Sequence, residues 1–392
     1  MRNFRLTIWI FVSILFVVAC TNEKINQYNI IDFGTAVDLG EAPMLSDFAS
    51  SIEYIPLETT PESYLGVSAK VVSDGKNIFV HSLAERKIAV FDMNGKYCSK
   101  IERVGNGPQE YMTLGGWNLK AAGVGSVVMV DRGKIKEYSY TGEYIGDIES
   151  DLLQGAMIQF IKYNPDGSCY IKGGRQSNPF QFIFKIDASG NLIDSVGLGK
   201  ITRIQRQDGM VSSFLTMFGY DGTCFKTLRQ GSDTIWSYDK DFNKSVAYIL
   251  DMGKYHDLYR NHTIYPQNFV AENDNLLLIR LECAGDVFST WSESGSGIFK
   301  ASNAYLIYDK LNKKTYIPEK GADNKPVTFI NDLENGMPFI PGYINNDHMY
   351  ALVDAITFID FAEESGSEKI KQIAAGLTEE SNHIVVKVTL KQ

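Results

Sequence analysis

From residue 73 onward the chain alternates short apolar runs with polar, glycine-bearing turns, and the alternation repeats. Ser73 to Tyr97 reads S-D-G-K-N-I-F-V-H-S-L-A-E-R-K-I-A-V-F-D-M-N-G-K-Y. That is a Gly turn, an apolar strand, a polar connection, an alternating strand and an Asn-Gly turn, which supplies the two positive-φ positions of a hairpin. Gly125 to Tyr144 repeats it, with Met129-Val130-Asp131 standing where Phe79-Val80-His81 stood. A third pass runs N-P-D-G-S-C-Y-I-K from Asn164 and F-I-F-K-I-D-A-S-G-N-L-I from Phe182. Turn glycines Gly95, Gly142 and Gly190 are therefore 47 and 48 residues apart, and looser passes begin at Tyr220, Glu272 and Ile344. Each unit holds about four strand candidates, and a period of about 45 residues with four strands is that of a β-propeller blade. Ser51 to Gln392 is 342 residues, or 57 per blade for six and 49 for seven, with insertions near Gly285–Gly297 and Ser365–Thr378 absorbing the excess over 47. Counting first hairpins selects an all-β, six-bladed β-propeller, with seven blades as the alternative.

The ends of the chain suggest how the ring closes. The sixth pass lacks a last hairpin; S-E-K-I-K-Q-I-A-A-G-L from Ser367 instead has helical spacing, with Ile370, Ile373, Ala374 and Leu377 on one stripe. Two strands are left without partners, 53–57 (E-Y-I-P-L) near the start and 384–390 at the end. Pairing them would complete the sixth blade and leave no exposed edge, with Pro56 on the outer edge because it cannot donate a ladder bond. The propeller then occupies residues 49–392.

Ahead of it, Arg2 and Arg5 precede the apolar run Leu6 to Val18, followed by Ala19 and Cys20. Thirteen residues are too few for a spanning helix, which needs about twenty. The order of charge, apolar run and small residue is that of a signal peptide over residues 1–19. V-V-A-C resembles a bacterial lipobox, which implies lipidation of Cys20, a lipidated tether and lead-in over 20–48, and a lipid anchor in the cell envelope, most simply the outer membrane with either leaflet open. The whole chain carries a formal charge of −9 and the part after residue 19 carries −11, so nucleic acid is not an expected partner. Cys98, Cys169, Cys224 and Cys283 form no C-x-x-C pair and have no His at ligand spacing, so free, mostly buried thiols are expected.

The 74–97 repeat resembles an NHL-type propeller repeat, and R-V-G-N-G-P-Q-E-Y from Arg103 resembles the G-x-G-P-G-E-Y signature of six-bladed β-propeller lipoproteins of Bacteroidetes. I-E-Y-I-P-L-E-T-T and S-N-H-I-V-V-K-V-T-L-K are similar to that family's end strands, so the resemblance spans nearly the whole mature chain and implies an NHL/TolB-like ring. Gln109 replaces the signature's last Gly, and His383 stands where the family often has Pro. The family supplies no assigned chemistry to carry over.

Read physically, Gly105, Gly107 and Pro108, with Glu110 and Tyr111, suit a tight structural crossover between blades. A phosphate loop is not expected, because no helix follows and no Lys-Ser/Thr ends the segment. His81 and Asp131 occupy matching sites in consecutive blades; with Arg132 and Arg103 they are the candidate channel-face binding residues. No catalytic residue is assigned, and no G-x-S-x-G elbow or H-x-x-x-H pair occurs. Two functions from different classes follow. One is a non-catalytic binding or scaffolding propeller for an envelope protein, peptide or glycan, with no cofactor. The other is a metal-dependent hydrolase or lyase, like the sugar lactonases that gather carboxylates, Asn or His on a channel metal; it would need a divalent ion.

Overall fold

The computed structural model describes residues 28–391, apart from 67–68, 115, 121–124, 176–179, 201, 206–210, 215, 286, 295–300 and 346. The signal segment and Cys20 lie outside the described residues. The strands gather into six principal sheets, arranged as a six-bladed β-propeller. Blade 1 is 69–101, blade 2 is 118–149, blade 3 is 156–200 and blade 4 is 217–251; each has four antiparallel strands in sequence order. Blade 5 spans 264–316, and blade 6 combines 343–344, 348–353 and 384–390 with Ala49–Pro56. A further hairpin, 202–205 with 211–214, lies between blades 3 and 4 in sequence.

The apolar runs follow from what the second strand of each blade must do. Ile78 and Val80 pack toward blade 6 while Phe79 packs toward blade 2; Val127 and Met129 face blade 1 while Val128 and Val130 face blade 3. Leu276 and Leu278 likewise face blade 6, and Leu277 and Ile279 face blade 4. Successive strand residues point to opposite faces, so a strand with a core on each side reads as a continuous apolar run rather than an alternation. Six hydrophobic cores result, one between each pair of neighbouring blades.

The regular glycine spacing has two physical causes. Gly95, Gly142 and Gly190 have φ of 82°, 84° and 87° in the turn before the outer strand. A Cβ on each would also sit 2.2, 2.5 and 2.4 Å from the carbonyl oxygens of Pro56, Lys100 and Glu149 on the preceding blade's outer strand. Only glycine meets both demands. The carbonyl of each turn glycine then accepts a hydrogen bond from a residue one or two positions past that outer strand: Glu58 N–H at 2.8 Å, Arg103 Nε at 2.6 Å and Ser150 Oγ at 2.7 Å. In blades 4 and 5 the left-handed turn position is held by Phe242 (φ 60°) and Lys313 (φ 52°), so the backbone repeat continues where the glycine signal stops.

At the ends of the chain, Ile52 pairs with Val388, Tyr54 with Val386 and Pro56 with Ile384, antiparallel, which makes the N-terminal strand the outermost of blade 6. Residues 29–48, part of the stretch expected from sequence to be tether and lead-in, pack against the blades. Asn29–Asp32 adds a parallel fifth strand to blade 4, Ile31 opposite Leu250. Helix α1, Phe33–Leu39, follows, its N-terminus capped by Asp32 accepting from the Thr35 N–H. Met44 then bridges to Ile330 before blade 6 begins. Ile31, Phe33, Leu45 and Phe48 of this strap are all buried.

Cys169, Cys224 and Cys98 are free thiols, buried, half-buried and exposed in turn, and Cys283 is buried. No described helix is long and apolar enough to cross a membrane.

Candidate functional site

The crossover from blade 1 to blade 2 is fastened by side chains at both ends. The Gly107 N–H donates to Glu110 Oε2 at 2.8 Å, and a Cβ on Gly105 would lie 2.0 Å from that oxygen. A side chain at Gly105 would displace the Glu110 carboxylate, and neither Gly105 nor Gly107 has a left-handed φ. Tyr111 is fully buried, and its hydroxyl donates to the carbonyls of Arg86 and Ile101 at 2.7 and 3.1 Å. From blade 2, Lys136 Nζ donates to the Pro108 carbonyl at 2.6 Å and Tyr138 Oη to the Gln109 carbonyl at 3.0 Å. Burial pushes the Tyr138 hydroxyl up to about 12, so it remains a donor.

Asp131 and Arg132 complete the same fastening. Asp131 is 2% exposed; its Oδ1 accepts from the Met112 and Thr113 N–H groups at 3.1 and 3.2 Å, and its Oδ2 from Arg132 Nε at 2.8 Å. Arg132 takes φ 50° beside Gly133 at 78°, the paired left-handed residues of a tight hairpin. Its guanidinium donates to the carbonyls of Asn106 and Glu110 at 3.4 and 3.1 Å. His81 is 4% exposed and its Nδ1 accepts from Trp117 Nε1 at 2.8 Å. Burial, with Lys70 adding repulsion, lowers its pKa to about 4 and keeps the ring neutral. The four candidate binding residues are therefore committed to internal contacts: His81 secures Trp117, Asp131 and Arg132 secure the crossover, and Arg103 is an inter-blade clip. Among the described residues, no group of three His, Cys, Asp or Glu side chains converges as a metal site requires.

An open groove lies elsewhere, beside blade 6. The second strand of this blade ends at Val353, and Asp354 caps helix α2, Ala355–Glu364, by accepting from the Thr357 N–H and hydroxyl at 2.9 and 2.8 Å. Partial burial works against ionisation of Asp354, but these hydrogen bonds outweigh it and hold the pKa below the usual carboxylate range. Ala355, Phe358 and Ala362 form the stripe of α2 that packs into the core between blades 5 and 6. Thr357, Asp360, Phe361 and Glu364 form the neighbouring stripe, which lines a groove of about 560 Å³. The opposite wall comes from the blade 5-to-6 crossing, including Val327 and Ile340, and the floor includes Val353 and Val386. Helix α3, Glu368–Ala374, capped by Ser367, braces α2 by burying Ile370 in the same core.

The sequence reading located α3 by its apolar stripe but left α2 and the groove unread. The signal for α2 was present in D-A-I-T-F-I-D-F-A: an Asp N-cap followed by apolar residues at helical spacing. The facing wall carries no comparable signal, because 321–327 and 337–340 are irregular connections.

Six blades, four of them four-stranded and two five-stranded, with six inter-blade cores and a side groove, define a β-propeller with a capped sixth blade. The chain belongs to the family described as a domain of unknown function, DUF4934, whose profile matches residues 28–389. The fold is similar to that of a Bacteroides fragilis protein described as exported, with a TM-score of 0.60 and 16% identity over 87% of this chain and 95% of that one. A member of the DUF4221 family from Bacteroides vulgatus aligns with a TM-score of 0.49 and 10% identity over 88% of this chain and 97% of that one. Comparison with curated proteins finds no match.

Proposed function

We propose that this chain is an exported, non-catalytic binding propeller, lipid-anchored to the cell envelope through Cys20, that captures a partner in the groove beside α2. The observation that carries the reading is the contrast between rim and groove. At the rim, His81, Arg103, Asp131 and Arg132 are committed to internal hydrogen bonds. In the groove, a volume of about 560 Å³ lies open between apolar side chains and acidic ones, which is the composition of a ligand site. The V-V-A-C sequence supports the anchor, and the export of a protein of similar fold is consistent with it.

Selection of displayed random peptides on the immobilised full chain tests the groove. Val327→Trp fills it, and circular dichroism checks that the variant is folded. Enriched peptides that lose binding to Val327→Trp are the expected result; enrichment on both proteins alike, or none, would overturn the reading. For the anchor, Cys20→Ala is expected to abolish palmitate labelling and to release the protein from the membrane fraction, and labelling that persists would contradict it.

A further inference from the structure

The groove's chemistry narrows the partner. Its lining contains the carboxylates of Asp323, Asp354, Asp360 and Glu364 against the single ammonium of Lys325, which is itself paired with Asp323 at 3.2 Å. Asp354 is occupied by its helix cap. Asp360 and Glu364 are exposed, and among the described residues neither has an ion-pair partner. They sit one helical turn apart on α2, with the apolar Phe361 beside them in the lining.

We infer that the groove accepts a peptide segment in which a lysine or arginine lies next to an apolar side chain, a conclusion that rests on the binding reading above. Three alternatives fit the surface less well. A bare cation would gain nothing from the walls formed by Val327, Ile340 and Val353, and a neutral apolar ligand would gain nothing from Asp360 and Glu364. An anion would meet a formal surplus of three negative charges in the lining, on a chain that is already acidic. Lysine and arginine carry an apolar stem and a charged tip, so the stem can lie along the wall while the tip reaches the rim carboxylates. A volume of about 560 Å³ is ample for such a side chain and its neighbours, within the roughly 300–1,000 Å³ common to ligand pockets. The exposed carboxylates supply selectivity and faster capture more than raw affinity, with the apolar floor supplying the rest.

The test uses the full chain in detergent and fluorescein-labelled peptides of one apolar framework, whose two variable positions carry lysine, glutamine or glutamate. Fluorescence anisotropy at about 50 mM salt should show the lysine peptide binding roughly tenfold more tightly than the glutamate one, with the gap narrowing at about 500 mM as the rim charges are screened. The double variant Asp360→Asn, Glu364→Gln should weaken the lysine peptide about tenfold, as removal of two exposed charge pairs implies, and leave the glutamine peptide unchanged. Val327→Trp should abolish binding of both. If all three peptides bind equally and all are lost in Val327→Trp, the inference about charge fails while the groove remains a binding site. If no peptide depends on Val327, both fail. Lysine-peptide binding that neither variant affects is adsorption to another surface and overturns the inference.

Discussion

At the scale of single residues, Asp131 carries the clearest structural commitment. Two backbone N–H groups and the Arg132 guanidinium depend on a side chain that is 1% exposed. Removing it takes away the buried acceptor that these three donors share, so Asp131→Ala should cost about 1–3 kcal/mol in urea unfolding. A change within about 0.5 kcal/mol would instead return Asp131 to the role of a rim side chain free for a ligand. His81 gives a pH-dependent counterpart. Its folded pKa of about 4 lies below the ordinary 6.5, so as pH falls the unfolded chain takes up the proton first. The stability this group contributes is complete above pH 6.5 and is lost between 6.5 and about 4; at pH 5.0 the loss is about 2 kcal/mol. His81→Gln retains an acceptor for Trp117 and cannot titrate. The native protein should therefore lose about 2 kcal/mol more than this variant between pH 7.5 and 5.0, and equal losses would contradict the assignment.

Among the elements, the turns explain both what the sequence revealed and what it concealed. Gly95, Gly142 and Gly190 made the first three blades legible because left-handed φ and close contact with the preceding blade both demand glycine. Blades 4 and 5 were only loosely legible, since Phe242 and Lys313 take the same backbone conformation at a steric cost. Phe242 is tied to blade 3, its ring 5.9 Å from that of Tyr170. Lys313 is exposed, and Lys313→Gly should raise stability by about 0.5–1 kcal/mol because relief of the strained φ exceeds the added freedom of the unfolded chain. A loss of stability in thermal unfolding would show that the turn carries no strain. The groove was hidden for a different reason. Its walls come from three separated segments, and only α2 among them has a periodic signature. The paired sites His81 and Asp131 drew attention because they match between blades, yet equivalence in a repeat reflects a shared structural duty as readily as a shared ligand.

For the whole molecule, the decisive feature is that the N-terminal segment reaches three blades. Its strand 29–32 extends blade 4, Glu41 pairs with Lys314 of blade 5 at 3.0 Å, and Ala49–Pro56 forms the outer strand of blade 6. A cut after residue 48 therefore removes Ile31, Phe33, Leu45 and Phe48 from the cores, worth roughly 6–12 kcal/mol at about 1.5–3 kcal/mol for each side chain. This figure is an upper bound because the unfolded chain already buries some apolar surface. Deletion of residues 1–48 should lower the melting temperature by roughly ten degrees or more relative to deletion of 1–27, and equal melting temperatures would mean that the strap contributes nothing to the ring.

Hydrogen exchange on the full chain with and without a selected peptide locates the binding site. Peptide-dependent protection of backbone amides is predicted within 321–327, 337–340 and 354–364, the segments that form the groove. Protection confined to 103–111 and to the hairpin at Arg132 and Gly133 would place the ligand on the rim and contradict it.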